Sequence, residues 1–158
     1  MNERQSIQKI FIFDLWCTRK IADLLTKKDE FRSRPACIAF LSHIINAQRI
    51  WYGRVLDRDI SKIDLWEEFD IAAIKPKAKK IHKQWVDLIG DHDMEMDTNL
   101  VYQNTKGVTY TSSFSDICTH LILHGQHHRA QINLLLGQAD IQAPPIDYIH
   151  YTRSVKQI

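Results

Sequence analysis

Four of the eight histidines of this 158-residue chain fall inside one stretch, SFSDICTHLILHGQHHRAQINLLLGQ, from Ser113 to Gln138. At roughly 100° per residue its pattern is that of an amphipathic helix. His124 and His128 point the same way, on an arc shared with Ile117, Leu121, Ile132 and Leu135, so both face inward. His120 and His127 sit at the edge of that arc and are expected to be exposed. Two imidazoles four residues apart can serve one metal ion. His120 and His124 form a second pair at that spacing, and the choice between the pairs rests on the apolar arc. A further histidine, His43, lies at the centre of an apolar face on another helical segment, with Ala36, Ala39, Phe40, Ala47 and Ile50 around it. Together His43, His124 and His128 make the smallest set for a facial three-nitrogen site. Such a set suits zinc or nickel and leaves positions free for water or substrate, a pattern of catalysis more than of structure.

What that site would do is bounded by what is missing. Gly125 stands where an HExxH zinc protease carries its glutamate, so the general base of that mechanism is absent. There is no Gly-rich phosphate loop, G-x-S-x-G elbow or CxxC pair. A dication on three neutral imidazoles keeps its full charge, and would acidify a bound water or thiol and hold a small anionic oxygen compound. For metal-assisted hydrolysis, Asp14 and His120 are the two candidates for a base. A third reading is a non-catalytic ligand-binding bundle with a structural metal, in which Trp16, Trp51 and Trp66 serve as packing or contact residues.

The elements that must position these residues are mostly helical. Ile7, Ile10, Phe11, Cys17, Ile21 and Leu25 define one face of a long first helix from about Glu3 to Lys28, with Asp14 in the middle of that face. A carboxylate there needs a cation or a hydrogen-bond donor. Helix two starts near Ser33, with Pro35 in its first turn. The run DRDISKIDLWEEFD after Leu56 reads as an ordered crossover anchored by Trp66, spanning the bundle end or covering a site. Helix three follows from Ile71 or Pro76 to Ile89, with Ile74, Ala78, Ile81, Trp85 and Leu88 inward and KPKAKKIHK as a solvated face. LVYQNTKGVTYTS reads as a short β-hairpin around Asn104 to Gly107. Ser113 with Asp116 caps the histidine helix, and a short terminal helix follows the Pro-Pro corner. Length and the absence of a repeat or linker indicate one domain over residues 1–158.

Composition excludes several classes. The 21 basic and 19 acidic residues leave a formal charge of +2, and no basic run interleaved with aromatics marks a nucleic-acid groove. Cys17, Cys37 and Cys118 are an odd count without metal or disulfide spacing, as expected of free thiols in a reducing compartment. MNERQSIQKIF lacks the apolar run of a signal peptide, and no 18 apolar residues run together. A cytoplasmic protein that does not span a membrane is expected.

The run HLILHGQHHRAQI resembles the closing motif of the DinB/YfiT-like superfamily, a histidine, three residues and then His-Arg-Gly-Gln, here His124, His128, Arg129, Ala130 and Gln131. FDLWCTRKI is similar to that family's first-helix signature, LSHIINAQRIWYGRVL to its second-helix histidine segment, and PPIDYIHYTR to its endings. Ala130 replaces the usual glycine. The resemblance implies an all-α four-helix bundle with up-down-down-up connectivity and a small hairpin between helices three and four. It also implies a divalent metal between helices on His43, His124 and His128, the same three residues the facial argument selects, and a homodimer. Two long connections agree with that topology. Relatives of this kind include transferases and isomerases that use low-molecular-weight thiols. The expectation is therefore a thiol-dependent S-transferase acting on a small molecule, with Arg129 and Gln131 either at the site or against a neighbouring helix.

Overall fold

Local signals set the helix ends. In the computed structural model, which describes residues 1–104 and 106–155, Asn2 accepts from the Gln5 N–H while the Gln5 side chain accepts from the Asn2 N–H, a reciprocal cap that starts α1 (Glu3–Lys27). Pro35 occupies the first turn of α2 (Arg34–Val55), where its missing N–H has no intrahelical role. Helix α3 (Ile71–Gly90) begins at the earlier of its two expected starts, so Pro76 lies inside it. The Ala72 carbonyl that loses its partner belongs to an exposed residue, so it is not left orphaned in the core. At the other end of α3, the buried Arg4 guanidinium donates to the carbonyls of Ile89, Asp91 and Met94, satisfying acceptors that a helix end leaves orphaned.

Strands β1 (Asn99–Gln103) and β2 (Thr109–Ser113) pair antiparallel, Leu100 opposite Ser112 and Tyr102 opposite Tyr110. Gly107 takes a φ of 75° in the connecting turn, which a side chain would resist, and Asn104 Oδ1 accepts the N–H groups of Lys106 and Val108. Ser113 closes the hairpin and opens α4 (Phe114–Gln138) by accepting the Asp116 N–H at 3.1 Å. Asp140, at φ 54°, turns the chain out of α4, while Gly137 remains helical. Helix α5 (Tyr148–Ser154) follows Pro144 and Pro145 and lays Tyr151 against Phe13 and Trp16.

Helix directions follow from which residues meet. Gln8 bonds Val86 and Lys75 bonds Asp23, so α1 and α3 run antiparallel. His43 meets His124 while Trp51 meets His120, so α2 and α4 are antiparallel as well. Asp14 and Thr18 both reach Arg129 from α1, whose Asp14 also faces Gly125, which makes α1 parallel to α4. Gln48 meets His82 and Tyr52 meets Trp85, which makes α2 parallel to α3. The result is the up-down-down-up four-helix bundle. Its interior is filled by Phe11, Ile21, Leu25, Leu41, Ile45, Ile74, Trp85, Phe114, Leu121 and Ile132, with Trp85 donating to the Gln48 carbonyl. No helix among the described residues is long and apolar enough to cross a membrane.

Candidate metal centre

Helix α2 is buried on nearly every side from Leu41 to Gln48, because α4 covers one face, α3 another, and the crossover between α2 and α3 the rest. Three of its polar residues are spent on that crossover. Ser42 Oγ accepts the Phe69 N–H at 3.0 Å, Asn46 donates to the Glu67 carbonyl at 2.9 Å, and His43 Nδ1–H donates to the Leu65 carbonyl at 3.3 Å. The crossover thus both spans the bundle and covers a site, since Trp66 lies stacked on the His43 ring with centroids 3.9 Å apart.

With Nδ1 used as a donor, neutral His43 turns the lone pair of Nε2 toward α4. His124 Nε2 lies 3.2 Å from it, and His128 Nε2 lies 3.1 Å from His124 Nε2. His128 Nδ1–H donates to Gln131 Oε1 at 2.6 Å, which fixes that ring in the same sense. Three ligand atoms therefore converge, all within 4.8 Å of one another. Nitrogens each 2.0–2.1 Å from a tetrahedral ion are roughly 3.3 Å apart, so the two short separations match what one divalent ion would span. Among the described residues no carboxylate or thiol joins the group. His43 is 4% exposed, whereas His124 and His128 are half-buried, which leaves an approach from solvent.

The surroundings keep the rings neutral. Burial first, and then the neighbouring His128, His43, His120 and His127, push His124 down to about 4. Burial also lowers His43 and His128, against the opposing pull of the Leu65 carbonyl on the one and Gln131 on the other. Lone pairs with no proton to displace are the form in which imidazole binds a metal. The sequence profile of the DinB family matches residues 26–157. This chain belongs to the DinB family. No curated protein matches it.

Within this DinB-family chain the histidine helix differs from its expected orientation in one respect. The centre of the buried arc on α4 is Ile117, Leu121, Gly125, Arg129, Ile132 and Leu136, and His124 and His128 lie on the flank turned to α2. His120 and His127 are exposed as expected. His120 packs edge-on against Trp51, its ring 5.7 Å from that of His124, and stands outside the converging group.

Asp14, the other candidate base, is not at the site. It is fully buried and binds Arg129 through Oδ1, while Oδ2 accepts from His82 Nε2 at 2.7 Å and Gln48 Nε2 at 3.0 Å. Burial alone would raise its carboxyl, but Arg129 and His82 outweigh that and hold it well below the usual range. A Cβ at position 125 would lie 2.9 Å from Asp14 Oδ1 and 3.1 Å from Arg129, so the glycine that replaces a protease glutamate makes room for this ion pair. Arg129 is thus a bundle residue and Gln131 a partner of His128 in the histidine cluster.

Sequence periodicity missed His82, which sits in the run KPKAKKIHK read as solvated but is 1% exposed. Its one visible signal was its place beside Ile81 and four residues after Ala78, whose carbonyl takes its Nδ1–H at 2.8 Å. The three cysteines are free and buried, with burial raising Cys17 and Cys118 to about 12 and Cys37 to about 11. None offers a thiolate nucleophile at neutral pH.

Proposed function

We propose that this chain is a single-domain, metal-dependent S-transferase of the DinB family, holding zinc or nickel on His43, His124 and His128 and joining a low-molecular-weight thiol to a small electrophile. The observation that carries the reading is the convergence of three Nε2 atoms with two of the outer nitrogens already committed to Leu65 and Gln131. A divalent ion bound there supplies a Lewis acid that lowers the pKa of a coordinated thiol. The chain's residues do the rest. His43 and His128 are held in the metal-facing tautomer, Trp66 shields the inner ring from water, and Phe40 stacks on His128 with centroids 5.4 Å apart. The thiol proton passes to solvent, the sulfur forms the new bond to carbon, and the leaving group departs with its bonding pair. No protein nucleophile is needed, in keeping with three buried thiols and an Asp14 locked in an ion pair. The reading extends to a cytoplasmic homodimer.

The test uses zinc-loaded protein titrated with mercaptoethanol and, separately, with ethylene glycol. Under this reading the thiol raises the melting temperature and releases a proton at neutral pH, the diol does neither, and His128→Ala abolishes the difference. Equal behaviour of the two compounds would defeat the thiol assignment.

A further inference from the structure

Next to the histidine cluster, between α2, the crossover and the hairpin, lies a cavity of about 850 Å³. Leu65, whose carbonyl accepts from His43 Nδ1, forms part of its wall, so one residue links the cavity to the outer edge of the His43 ring. Ile50, Ile60, Ile63 and Val101 give it apolar sides. Arg54 also lines it, and among the described residues its side chain has no hydrogen-bond or ion-pair partner. Its guanidinium lies 4.9 Å from the Trp51 ring centroid and 5.8 Å from that of Tyr102. Its Nε is closed off from water without an acceptor, and among the described residues it forms no ion pair. Arg4, Arg49 and Arg129, by contrast, each engage oxygen acceptors. A half-buried cation held between two rings and given no anion is an incomplete arrangement, and burial accordingly pulls its pKa down.

We infer that Arg54 binds the carboxylate of a small-molecule substrate whose other end reaches the three histidines. A planar carboxylate matches the guanidinium fork through two parallel hydrogen bonds, and the flanking rings hold that fork in place. Arg58, laid over Tyr52, is outnumbered by Asp57 and Asp64, so the lining carries no net positive charge and the carboxylate is held by the Arg54 fork and not by a general positive field. The Asp64 carboxylate is already occupied by the Trp66 N–H at 2.9 Å.

Arg54 lies eleven residues after His43, roughly 16 Å along the helix axis. Its side chain leans back about one turn, over Trp51, and Trp51 in turn touches His120, one turn from His124. The carboxylate therefore sits on the order of 10 Å from the group presented to the histidines, with an apolar spacer between. This substrate class rests on the metal-dependent reading for the chemistry at the far end, but the carboxylate subsite does not require the metal.

The experiment follows the Arg54 Nε–H resonance by ¹H–¹⁵N NMR while hexanoate, hexan-1-ol and mercaptohexanoate are added to wild type, Arg54→Gln, Arg54→Lys and His128→Ala proteins, with and without zinc. The expected result is that hexanoate shifts the wild-type signal and hexan-1-ol does not. Arg54→Gln weakens hexanoate binding, followed there by the Trp51 indole signal, about tenfold or more, Arg54→Lys weakens it less, and His128→Ala leaves it intact. Hexanoate binding that is equal in wild type and Arg54→Gln, or equal for the acid and the alcohol, would overturn the assignment. Should Arg54-dependent hexanoate binding be found while mercaptohexanoate gains nothing on zinc-loaded protein, the carboxylate subsite stands and its reach to the histidines is overturned, whereas the thiol chemistry itself falls only if mercaptoethanol also fails to act on the zinc-loaded protein.

Discussion

His43 and His128 present Nε2 to the same point because their other nitrogens are claimed by an oxygen, the Leu65 carbonyl in one case and the Gln131 amide in the other. Such outer partners set both tautomer and ring angle, and their loss ordinarily weakens metal binding about 10–100-fold. Gln131→Leu is accordingly expected to loosen zinc by that order in a chelator competition while leaving the melting curve of the metal-free protein unchanged; an unaltered affinity would show that the hydrogen bond is incidental. Asp14 plays a different part at the same scale. Removing its charge by Asp14→Asn leaves Arg129 buried without a counter-ion, a change expected to destabilise the bundle by about 3–5 kcal/mol in urea unfolding. Its pH dependence follows from the direction of its pKa. The folded carboxyl titrates below the ordinary value of 3.8, so on acidification the unfolded chain takes up the proton first. The stabilisation is fully present above about 3.8 and is lost as the pH falls beneath it. Wild type should therefore lose stability through that acid window, and Asp14→Asn should show a flatter profile there.

At the scale of elements, α2 carries the site, since one helix supplies His43 and also the side chains that fasten the crossover over it. Asn46→Ala would leave the Glu67 carbonyl without its donor, for a loss of about 1–2 kcal/mol, and should also speed zinc release because Leu65 and Trp66 lie on the loosened segment; stopped-flow chelation measures this, and an unchanged rate would detach the crossover from the site. Much of this was legible in the chain. The 3.6-residue period gave the long helices, the β-branched and aromatic residues either side of Asn104 to Gly107 gave the hairpin, and the arc containing His124 and His128 gave the two α4 histidines of the cluster. What stayed hidden depends on contacts between distant segments. His82 looks solvated within a lysine-rich run because its partner, Asp14, is on another helix. The arc on α4 was misplaced by about one residue because a glycine and an arginine, which hydrophobicity scores poorly, form its buried centre around the ion pair. Pro76 inside α3 is tolerated through an exposed carbonyl, which composition does not reveal.

Across the whole molecule, the two antiparallel pairs α1–α3 and α2–α4 divide the work. A polar knot of Asp14, His82, Arg129 and Gln48 ties the pairs together in the interior, while the histidine cluster sits on the α2–α4 side, under the crossover and beside the hairpin. Helices long enough to bury a full core do not call for an ion to fold, so under the proposed function the metal would serve chemistry and the bundle would persist without it. The most direct test of that account is the metal content of untagged protein by elemental analysis, beside His43→Ala, His124→Ala and His128→Ala, with a circular dichroism spectrum of each. About one divalent ion per chain in wild type, lost from every variant with helicity retained, is the predicted result. A wild type that refuses zinc and nickel at moderate excess, or a His128→Ala protein that keeps its full complement, would contradict it.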